Sequence, residues 1–132
     1  FDRLRKFFSK YEEYFILPKE HPKASVSWLA FPLTIRDGAP FERFELIKYL
    51  EDHNIQTRLL FAGNILRHPG YRTMPHRVVG SLTNADKIMR DAFVIGAHHG
   101  MTEEMVQYVE EVFSNFLSKL KRNKNEKETT AV

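Results

Sequence analysis

The chain has 132 residues, a formal net charge of +3, 42% hydrophobic and 13% aromatic residues, and no cysteine. This length supports one small domain with a hydrophobic core, and the composition excludes a wholly disordered chain. Without cysteine, these residues form no disulfide bond, thiolate metal site or cysteine nucleophile. A reducing cytoplasm is the expected location, although cysteine usage alone does not identify the compartment.

The excess positive charge lies at the C-terminal end. Residues 119–132 carry five basic and two acidic side chains, whereas the preceding 118 residues carry fifteen of each. Because the end segment lacks apolar periodicity, we predict a solvated, disordered tail rather than a nucleic-acid-binding arm. The rest of the chain shows no basic and aromatic stripe, and no apolar run long enough to cross a membrane. We therefore expect neither a nucleic-acid nor a membrane partner.

The N-terminal third predicts a helix followed by a strand. Aromatic and aliphatic residues at spacings of three and four predict a helix from Phe1 to Phe15. Prolines in residues 17–22 predict a connecting stretch. The β-forming segment Val26–Ile35 predicts a strand covered on both faces, in which Pro32 requires a bulge or an edge position.

The middle of the chain predicts a helix, a strand and a long loop. After a turn at residues 36–38, Pro40 suits the first position of a helix that extends to about His53. Residues 55–61 predict the second strand. Residues 62–80 are rich in glycine and proline, and a loop of this length in a small domain is usually functional or fixed by a partner.

The last third predicts a short helix, a third strand and a long helix. Thr83 and Asp86 have the spacing of a capping box for a helix through Met89. Residues 93–96 predict a short strand, and Thr102 predicts the start of a long amphipathic helix. The predicted fold class is α+β, an α/β sandwich in which a short sheet packs against helices.

Polar residues at the end of the second strand form the candidate binding site. Arg58, Asn64 and Arg67 lie at the strand end and in the following loop. Two guanidinium groups and a carboxamide suit a phosphate or carboxylate ligand. In the alternative interpretation, Arg58 pairs with Glu51 or Asp52 on the preceding helix and Arg67 is merely solvated. The sequence alone leaves both interpretations open.

Other candidate groups give weaker signals. His98 and His99 suggest a metal or acid–base site, but adjacent residues rarely converge on one ion and no carboxylate lies nearby, so a plain loop pair is favoured. Trp28 is expected in the core. The chain contains no phosphate-binding glycine loop, nucleophile elbow or carboxylate pair in a credible cleft. We therefore predict no catalytic, cofactor-binding or metal-binding residue within these residues.

Several motifs in order carry a family resemblance. They are Ser27-Trp28 with Phe31-Pro32, Ile55-Gln56-Thr57-Arg58, Gly63-Asn64 with Arg67 and Pro69, Val79-Gly80 with Asn84-Ala85-Asp86, and residues 93–100 followed by Thr102-Glu103-Glu104. From about residue 24 to 117 the chain resembles the C-terminal domain of sugar aminotransferase-like, fold-type I pyridoxal phosphate (PLP) enzymes. It is most similar to the nucleotide-diphospho-4-keto-6-deoxyhexose 3-dehydratases of lipopolysaccharide and deoxysugar pathways.

The resemblance implies a division of the chain into three parts. Residues 1–23 are expected to be a connecting helix and linker from a large domain that these residues do not include. Residues 24–118 are the small C-terminal domain, and residues 119–132 are the tail. In an isolated chain, the aromatic residues of the Phe1–Phe15 helix would be exposed as an association surface.

The resemblance also implies the chemistry. The family enzyme is a homodimer that uses PLP or its pyridoxamine form (PMP) to remove the C3 hydroxyl of a nucleotide-linked 4-keto-6-deoxyhexose. The alternatives are a nucleotide-sugar aminotransferase and a non-catalytic small-molecule-binding module. The large domain would hold the cofactor, so this chain alone is not expected to bind it. Carried over by position, Arg58, Asn64 and Arg67 would hold the substrate or its nucleotide phosphate as electrostatic clamps.

Overall fold

The computed structural model describes the backbone of residues 1–130 and the side chains of residues 1–120 and 122. This part of the chain folds as α+β, as predicted. The helices are α1 (Asp2–Phe8), α2 (Arg43–Asp52), α3 (Thr83–Asp91) and α4 (Glu103–Thr130), and the strands are β1 (Phe15–Ile16), β2 (Phe31–Ile35), β3 (Thr57–Leu59) and β4 (Ala92–Ile95). Single turns of 3-10 helix lie at Ser9–Tyr11, Ile65–Arg67 and Pro69–Tyr71.

The four strands form one antiparallel sheet in the order β1-β2-β4-β3. Side chains alternate between the two faces of a strand. Phe31, Leu33 and Ile35 of β2 are buried in the core on the inner face. On the outer face, Pro32 lies beside Val94, and Val94 lies beside Arg58. The outer face therefore carries one of the three predicted site residues.

Strand β2 confirms one prediction about Pro32 and corrects two others. β1 pairs with β2 only at Ile35 and Thr34, so Pro32 has a neighbouring strand on one side only, as an edge position requires. The strand begins at Phe31 rather than Val26, because its partner β4 ends opposite Phe31. It is also not covered on both faces, since Pro32 and Thr34 are only half-buried.

The N-terminal segment packs into the same core as the rest of the chain. Helix α1 ends at Phe8 instead of continuing to Phe15, and the chain turns back into β1. Phe8 and Phe15 have no exposed surface, and the Phe8 ring lies 4.8 Å edge-on from Phe113 of α4. The prediction of an exposed aromatic association surface is therefore wrong for these rings, because the turn after α1 directs Phe15 inward.

The helix boundaries differ from prediction where side chains have other partners. α2 begins at Arg43 rather than Pro40, because the extended backbone at Glu42 follows the buried ring of Phe41. α3 has no side-chain cap, since Asp86 binds groups in the loop after β3 instead of forming a capping box. The start of α4 is confirmed, as Thr102 Oγ1 accepts a hydrogen bond from the Met105 N–H at 3.3 Å.

Helix α4 continues to Thr130, where the sequence predicted a disordered tail from residue 119. Lysine and glutamate are good helix formers, and neither glycine nor proline follows Gly100, so nothing in the sequence ends the helix. The last two residues of the predicted tail lie outside the described part. The domain boundaries at residues 23 and 118 stay predictions. None of the described helices combines the length and the apolar character needed to cross a membrane.

Candidate functional site

Three side chains fix the loop after β3 to helix α3. Asp86 Oδ1 accepts hydrogen bonds from Asn64 Nδ2 at 2.7 Å and from Arg67 Nε at 2.9 Å. Asp86 Oδ2 accepts from Arg67 Nη2 at 2.8 Å, so the ion pair is bidentate. Asn64 also accepts a hydrogen bond from the Leu66 N–H at 3.1 Å. We call Asn64, Arg67 and Asp86 the loop clamp.

The loop lies against α3 because residue 63 is glycine. Gly63 has a φ of +60°, a left-handed conformation that side chains disfavour. A Cβ atom at this position would lie 2.5 Å from the Met89 Cβ. The close approach places the next residue, Asn64, in a buried position within reach of Asp86.

The loop clamp shifts the pKa values of its ionisable members. Hydrogen bonds from Arg67 and then Asn64 lower the pKa of Asp86 from 3.8 to about 2. The hydrogen bond to Asp86 raises the pKa of Arg67. Both groups are therefore charged at neutral pH and are unsuited to proton transfer. The clamp supplies a fixed charge pair and a fixed loop.

Arg58 lies apart from the loop clamp, on the outer face of β3. Its Nη1 donates to the Thr57 carbonyl oxygen at 2.7 Å. The carboxylate of Glu51 instead accepts from the Thr57 N–H at 2.6 Å and the Thr57 hydroxyl at 2.7 Å, and these bonds lower the pKa of Glu51. Asp52 pairs with Lys48. Among the described residues, Arg58 therefore forms no direct ion pair with a carboxylate, but its charge is near enough to Glu51 to contribute to the lowered pKa of that carboxylate.

An apolar cleft of about 430 Å³ lies on the outer face of the sheet beside Arg58. Leu29 and Phe61 at its rim are each 86% exposed. Phe61 has a φ of 49°, which is rare for a residue other than glycine and costs conformational energy. The lining residues are Trp28, Leu29, Ala30, Pro32, Arg58, Leu59, Leu60, Phe61 and Val94.

The cleft does not fit PLP. Its lining contains no lysine, histidine or carboxylate, and Arg58 is its one charged side chain. Such groups are needed to hold the reactive carbon and the pyridine nitrogen of the cofactor. The cleft offers instead an apolar surface with one guanidinium group, which suits contact with an anionic ligand that carries an apolar part.

The structure thus brings together two of the three predicted site residues. Asn64 and Arg67 meet at Asp86, whereas Arg58 stands alone beside the cleft. The alternative interpretation, in which Arg67 is merely solvated, does not hold in the structure, because Arg67 is ion-paired with Asp86. Sequence reasoning missed the role of Asp86, which had been interpreted as a helix cap. One feature of the sequence does point to this role. Residues 53–85 contain no aspartate or glutamate, so Asp86 is the first carboxylate after the loop with which a loop arginine can pair.

The histidine pair and the single tryptophan have ordinary surroundings. His98 and His99 are exposed in the loop between β4 and α4, with ring centres 6.4 Å apart. The His98 Nδ1 accepts from the Gly100 N–H at 3.1 Å. Over the described residues, no cluster of three or more histidine, aspartate or glutamate side chains has metal-binding geometry. Trp28 is half-buried rather than in the core, and it stacks on Phe1 at 4.5 Å.

A second polar cluster attaches α3 to the sheet through side chains that are not part of the loop clamp, although the charge of one of them, Arg90, also helps to lower the pKa of Asp86. Asp91 pairs with Lys87 at 2.9 Å and with Arg90 at 2.7 Å, and Lys87 also donates to the Ile35 carbonyl oxygen. Arg43 of α2 donates to the carbonyl oxygen of Ala92 at 3.1 Å. These contacts attach the C-terminal end of α3 to the sheet and to α2.

Two relatives of known annotation are each 40% identical to the chain. One is the lipopolysaccharide biosynthesis protein RfbH of Salmonella typhimurium, matched over 116 residues, which are 88% of this chain and 26% of the relative. The other is the dTDP-4-dehydro-2,6-dideoxy-D-glucose 3-dehydratase of Saccharopolyspora spinosa, matched over 104 residues, which are 79% of this chain and 22% of the relative. The chain therefore spans about a quarter of the length of these relatives.

The fold matches solved structures of a 3-dehydratase and of an aminotransferase. An E. coli GDP-4-keto-6-deoxy-D-mannose-3-dehydratase with bound hydrated PLP is 21% identical, with a TM-score of 0.70 over 83% of this chain and 28% of the other. An aminotransferase from Psychrobacter cryohalolentis is 14% identical, with a TM-score of 0.75 over 87% of this chain and 32% of the other. Residues 1–114 match the DegT/DnrJ/EryC1/StrS aminotransferase family, so the chain belongs to that family.

Proposed function

We propose that the chain forms the C-terminal domain of a PLP/PMP-dependent enzyme that removes the C3 hydroxyl of a nucleotide-linked 4-keto-6-deoxyhexose. The observation that carries this proposal is the 40% identity to a protein named as a dTDP-sugar 3-dehydratase. A second relative, 27% identical, is named GDP-4-keto-6-deoxy-D-mannose 3-dehydratase. The two names share the 4-keto sugar and the position of the reaction, and they differ in the nucleotide.

In this proposal, Arg58 is the residue that binds the anionic part of the substrate. Among the described residues, its guanidinium group makes no direct ion pair with a carboxylate, although its charge helps to lower the pKa of Glu51, and it adjoins an apolar cleft. An arginine at such a cleft with N–H donors not taken up by a carboxylate can bind phosphate through a planar pair of those donors. Because a crystallised 3-dehydratase of the same fold carries GDP-perosamine, a nucleotide diphosphate is the ligand that we assign to Arg58.

Asn64 and Arg67 contribute to the same site in different ways. Asn64 is buried and is committed to Asp86 and the Leu66 N–H, so its part is to shape the loop. Arg67 uses Nε and Nη2 for Asp86, and its side chain is 62% exposed. Its Nη1 group is then available to donate to a substrate phosphate.

The cofactor is assigned to a part of the enzyme outside this chain. The apolar cleft lacks the side chains that hold PLP, and a solved 3-dehydratase about three and a half times as long as the matched region contains hydrated PLP. We further propose a cytoplasmic homodimer that binds a nucleotide sugar and neither nucleic acid nor membrane. The resemblance of the motifs to dimeric biosynthetic enzymes supports this assignment.

The product formed by the full-length protein tests the proposal. The protein that contains this chain is loaded with PMP and given a nucleotide-linked 4-keto-6-deoxyhexose. Loss of the C3 oxygen, detected by mass spectrometry and NMR, is the expected result. An amino sugar formed with glutamate as donor would identify an aminotransferase instead, which the fold also supports. Tight substrate binding with neither product would identify a non-catalytic binding module.

The Arg58→Ala variant tests the proposed phosphate contact. Loss of a charge-assisted bidentate contact raises KM by about tenfold to a hundredfold. Arg5→Ala is the matched control, because Arg5 is an exposed arginine on α1 that does not line the cleft. An equal KM for the two variants would contradict the role of Arg58.

A further inference from the structure

We propose that Asp86 is a positioning residue, whose carboxylate holds the loop of residues 62–71 in the conformation that the substrate meets. This inference rests on the proposed function, because it assumes that the loop after β3 faces the substrate. The spacing of Asp86 from Thr83 predicts a helix cap and not such a role. The structure instead directs its carboxylate to Asn64 and Arg67.

The charge pattern makes Asp86 the anchor of this loop. Residues 53–85 contain four arginines and no aspartate or glutamate. The arginines of this segment therefore have no carboxylate within it, and its own side-chain contacts, such as that of His68 Nε2 with the Ala62 carbonyl oxygen at 2.7 Å, join the loop to itself and not to α3. Asp86, at the start of α3, is the first carboxylate after this segment, and Arg67 of the segment pairs with it in a bidentate geometry.

The geometry of the loop clamp carries the restraint from α3 to the loop backbone. Both carboxylate oxygens of Asp86 accept hydrogen bonds from the loop. Asn64 extends the restraint to the backbone, since its side-chain Oδ1 accepts a hydrogen bond from the Leu66 N–H and so caps the 3-10 turn. Asn64 is only 4% exposed, so water does not readily replace its bond to Asp86. Loss of the carboxylate therefore frees the turn as well as Arg67.

The contacts with Asp86 also fix the orientation of the Arg67 guanidinium group. Two of its nitrogens bind Asp86, which fixes the plane of the guanidinium group and leaves Nη1 for a ligand. A planar arginine that is held from one side loses less conformational freedom when it binds an anion. Removal of Asp86 is thus expected to weaken substrate binding, although the charge of Arg67 is retained.

The variants of the full-length protein are chosen to separate this role from general stability. Asp86→Asn keeps the shape of the side chain and removes its charge. Asp91→Asn is the matched control, because Asp91 lies on the same helix and also pairs with an arginine, but its partners attach α3 to the sheet. Arg67→Gln breaks the same ion pair from the opposite side.

Two measurements are made on each variant: hydrogen exchange of the amides in residues 62–71, and KM and kcat with the nucleotide sugar. In Asp86→Asn and Arg67→Gln, exchange in the loop is expected to rise about tenfold, which corresponds to the loss of one charge-assisted hydrogen-bonded contact. KM is expected to rise about tenfold in Asp86→Asn with kcat nearly unchanged. Asp91→Asn is expected to leave loop exchange and KM at wild-type values.

The outcomes distinguish the inference from the proposed function. Unchanged exchange in residues 62–71 of Asp86→Asn overturns the inference whatever the activity. Faster exchange with an unchanged KM also overturns it, because the loop would then be held without consequence for substrate. A wild-type protein that binds no nucleotide sugar contradicts the proposed function, and the exchange data still decide whether Asp86 holds the loop.

Discussion

At Gly63 the backbone passes so close to helix α3 that no side chain fits between them. In Gly63→Ala the new methyl group would lie 2.5 Å from Met89 Cβ and 2.7 Å from Met89 Cα, and the φ of +60° would also be strained. We predict a loss of about 3 kcal/mol in the free energy of unfolding, measured by chemical denaturation.

Gly38→Ala is the control for that substitution. Gly38 has a similar positive φ of +83°, but no atom lies within 4 Å of its added Cβ. This variant loses only the conformational contribution, about 1 kcal/mol. The difference between the two variants measures the contact with α3, and equal losses would show that the close approach is absent.

The ionisation of Asp86 gives the loop a defined pH dependence. The folded pKa of about 2 lies below the ordinary value of 3.8. Because the folded pKa is depressed, the stabilisation is complete above the ordinary pKa and is lost as pH falls through the folded pKa. We predict that the NMR signal of the Arg67 Nε–H group is retained down to about pH 4 and disappears towards pH 2. Disappearance well above pH 4 would contradict the ion pair.

The residue types of the candidate site were readable from the sequence, but their partners were not. Arg58, Asn64 and Arg67 were identified because they follow a predicted strand, where binding groups are common. The partner Asp86 lies nineteen residues beyond Arg67, on another element. Only the folded chain shows that the pair at capping-box spacing does not cap α3 and that Asp86 binds a distant loop instead.

Helix α1 contributes to the core, whereas the sequence predicted that its aromatic side chains would be exposed. Phe8 is fully buried between Phe31, at 5.3 Å, and Phe113, at 4.8 Å. We predict that Phe8→Ala lowers the free energy of unfolding by about 4 kcal/mol, because it leaves a cavity. Phe44→Ala is the control. The Phe44 ring is 76% exposed, so its removal is expected to lower the free energy of unfolding by less than about 0.5 kcal/mol. Thermal unfolding of both variants checks this, and similar losses would place α1 outside the core.

The periodicity of the sequence identified every long element but misplaced several of their ends. Helical spacing continued past Phe8 to Phe15, and only the turn at residues 12–14 shows that Phe15 enters the core from a strand. Likewise, the apolar run from Val26 predicted a long strand, but β2 extends only as far as its partner β4. Strand length is set by pairing between distant segments, which local composition does not contain.

At the scale of the whole molecule, the α+β class followed from the alternation of helical and extended patterns. The sequence pattern did not show which face of the sheet is exposed to solvent. Alternation along β2 and β4 shows that Pro32 and Val94 share a face, but not whether anything covers it. The exposed Leu29 and Phe61 border that face. The chain spans about a quarter of its relatives' length, so any contacts with the other three quarters of those relatives cannot be read from these residues.

Cofactor binding is also a property of the whole molecule, and we predict that this chain by itself does not bind PMP. The apolar cleft provides Arg58 for the phosphate of PMP but no carboxylate for its pyridine nitrogen. The single contact with Arg58 would therefore have to offset the translational and rotational freedom that PMP loses on binding. PMP is the suitable probe, because it lacks the aldehyde that would react with surface lysines. Calorimetric titration of the folded chain is expected to show no saturable heat, whereas under the proposed function the full-length protein is expected to bind one PMP per subunit. Saturable binding of one PMP by the chain, abolished in Arg58→Ala, would move the cofactor site onto the outer face of this sheet.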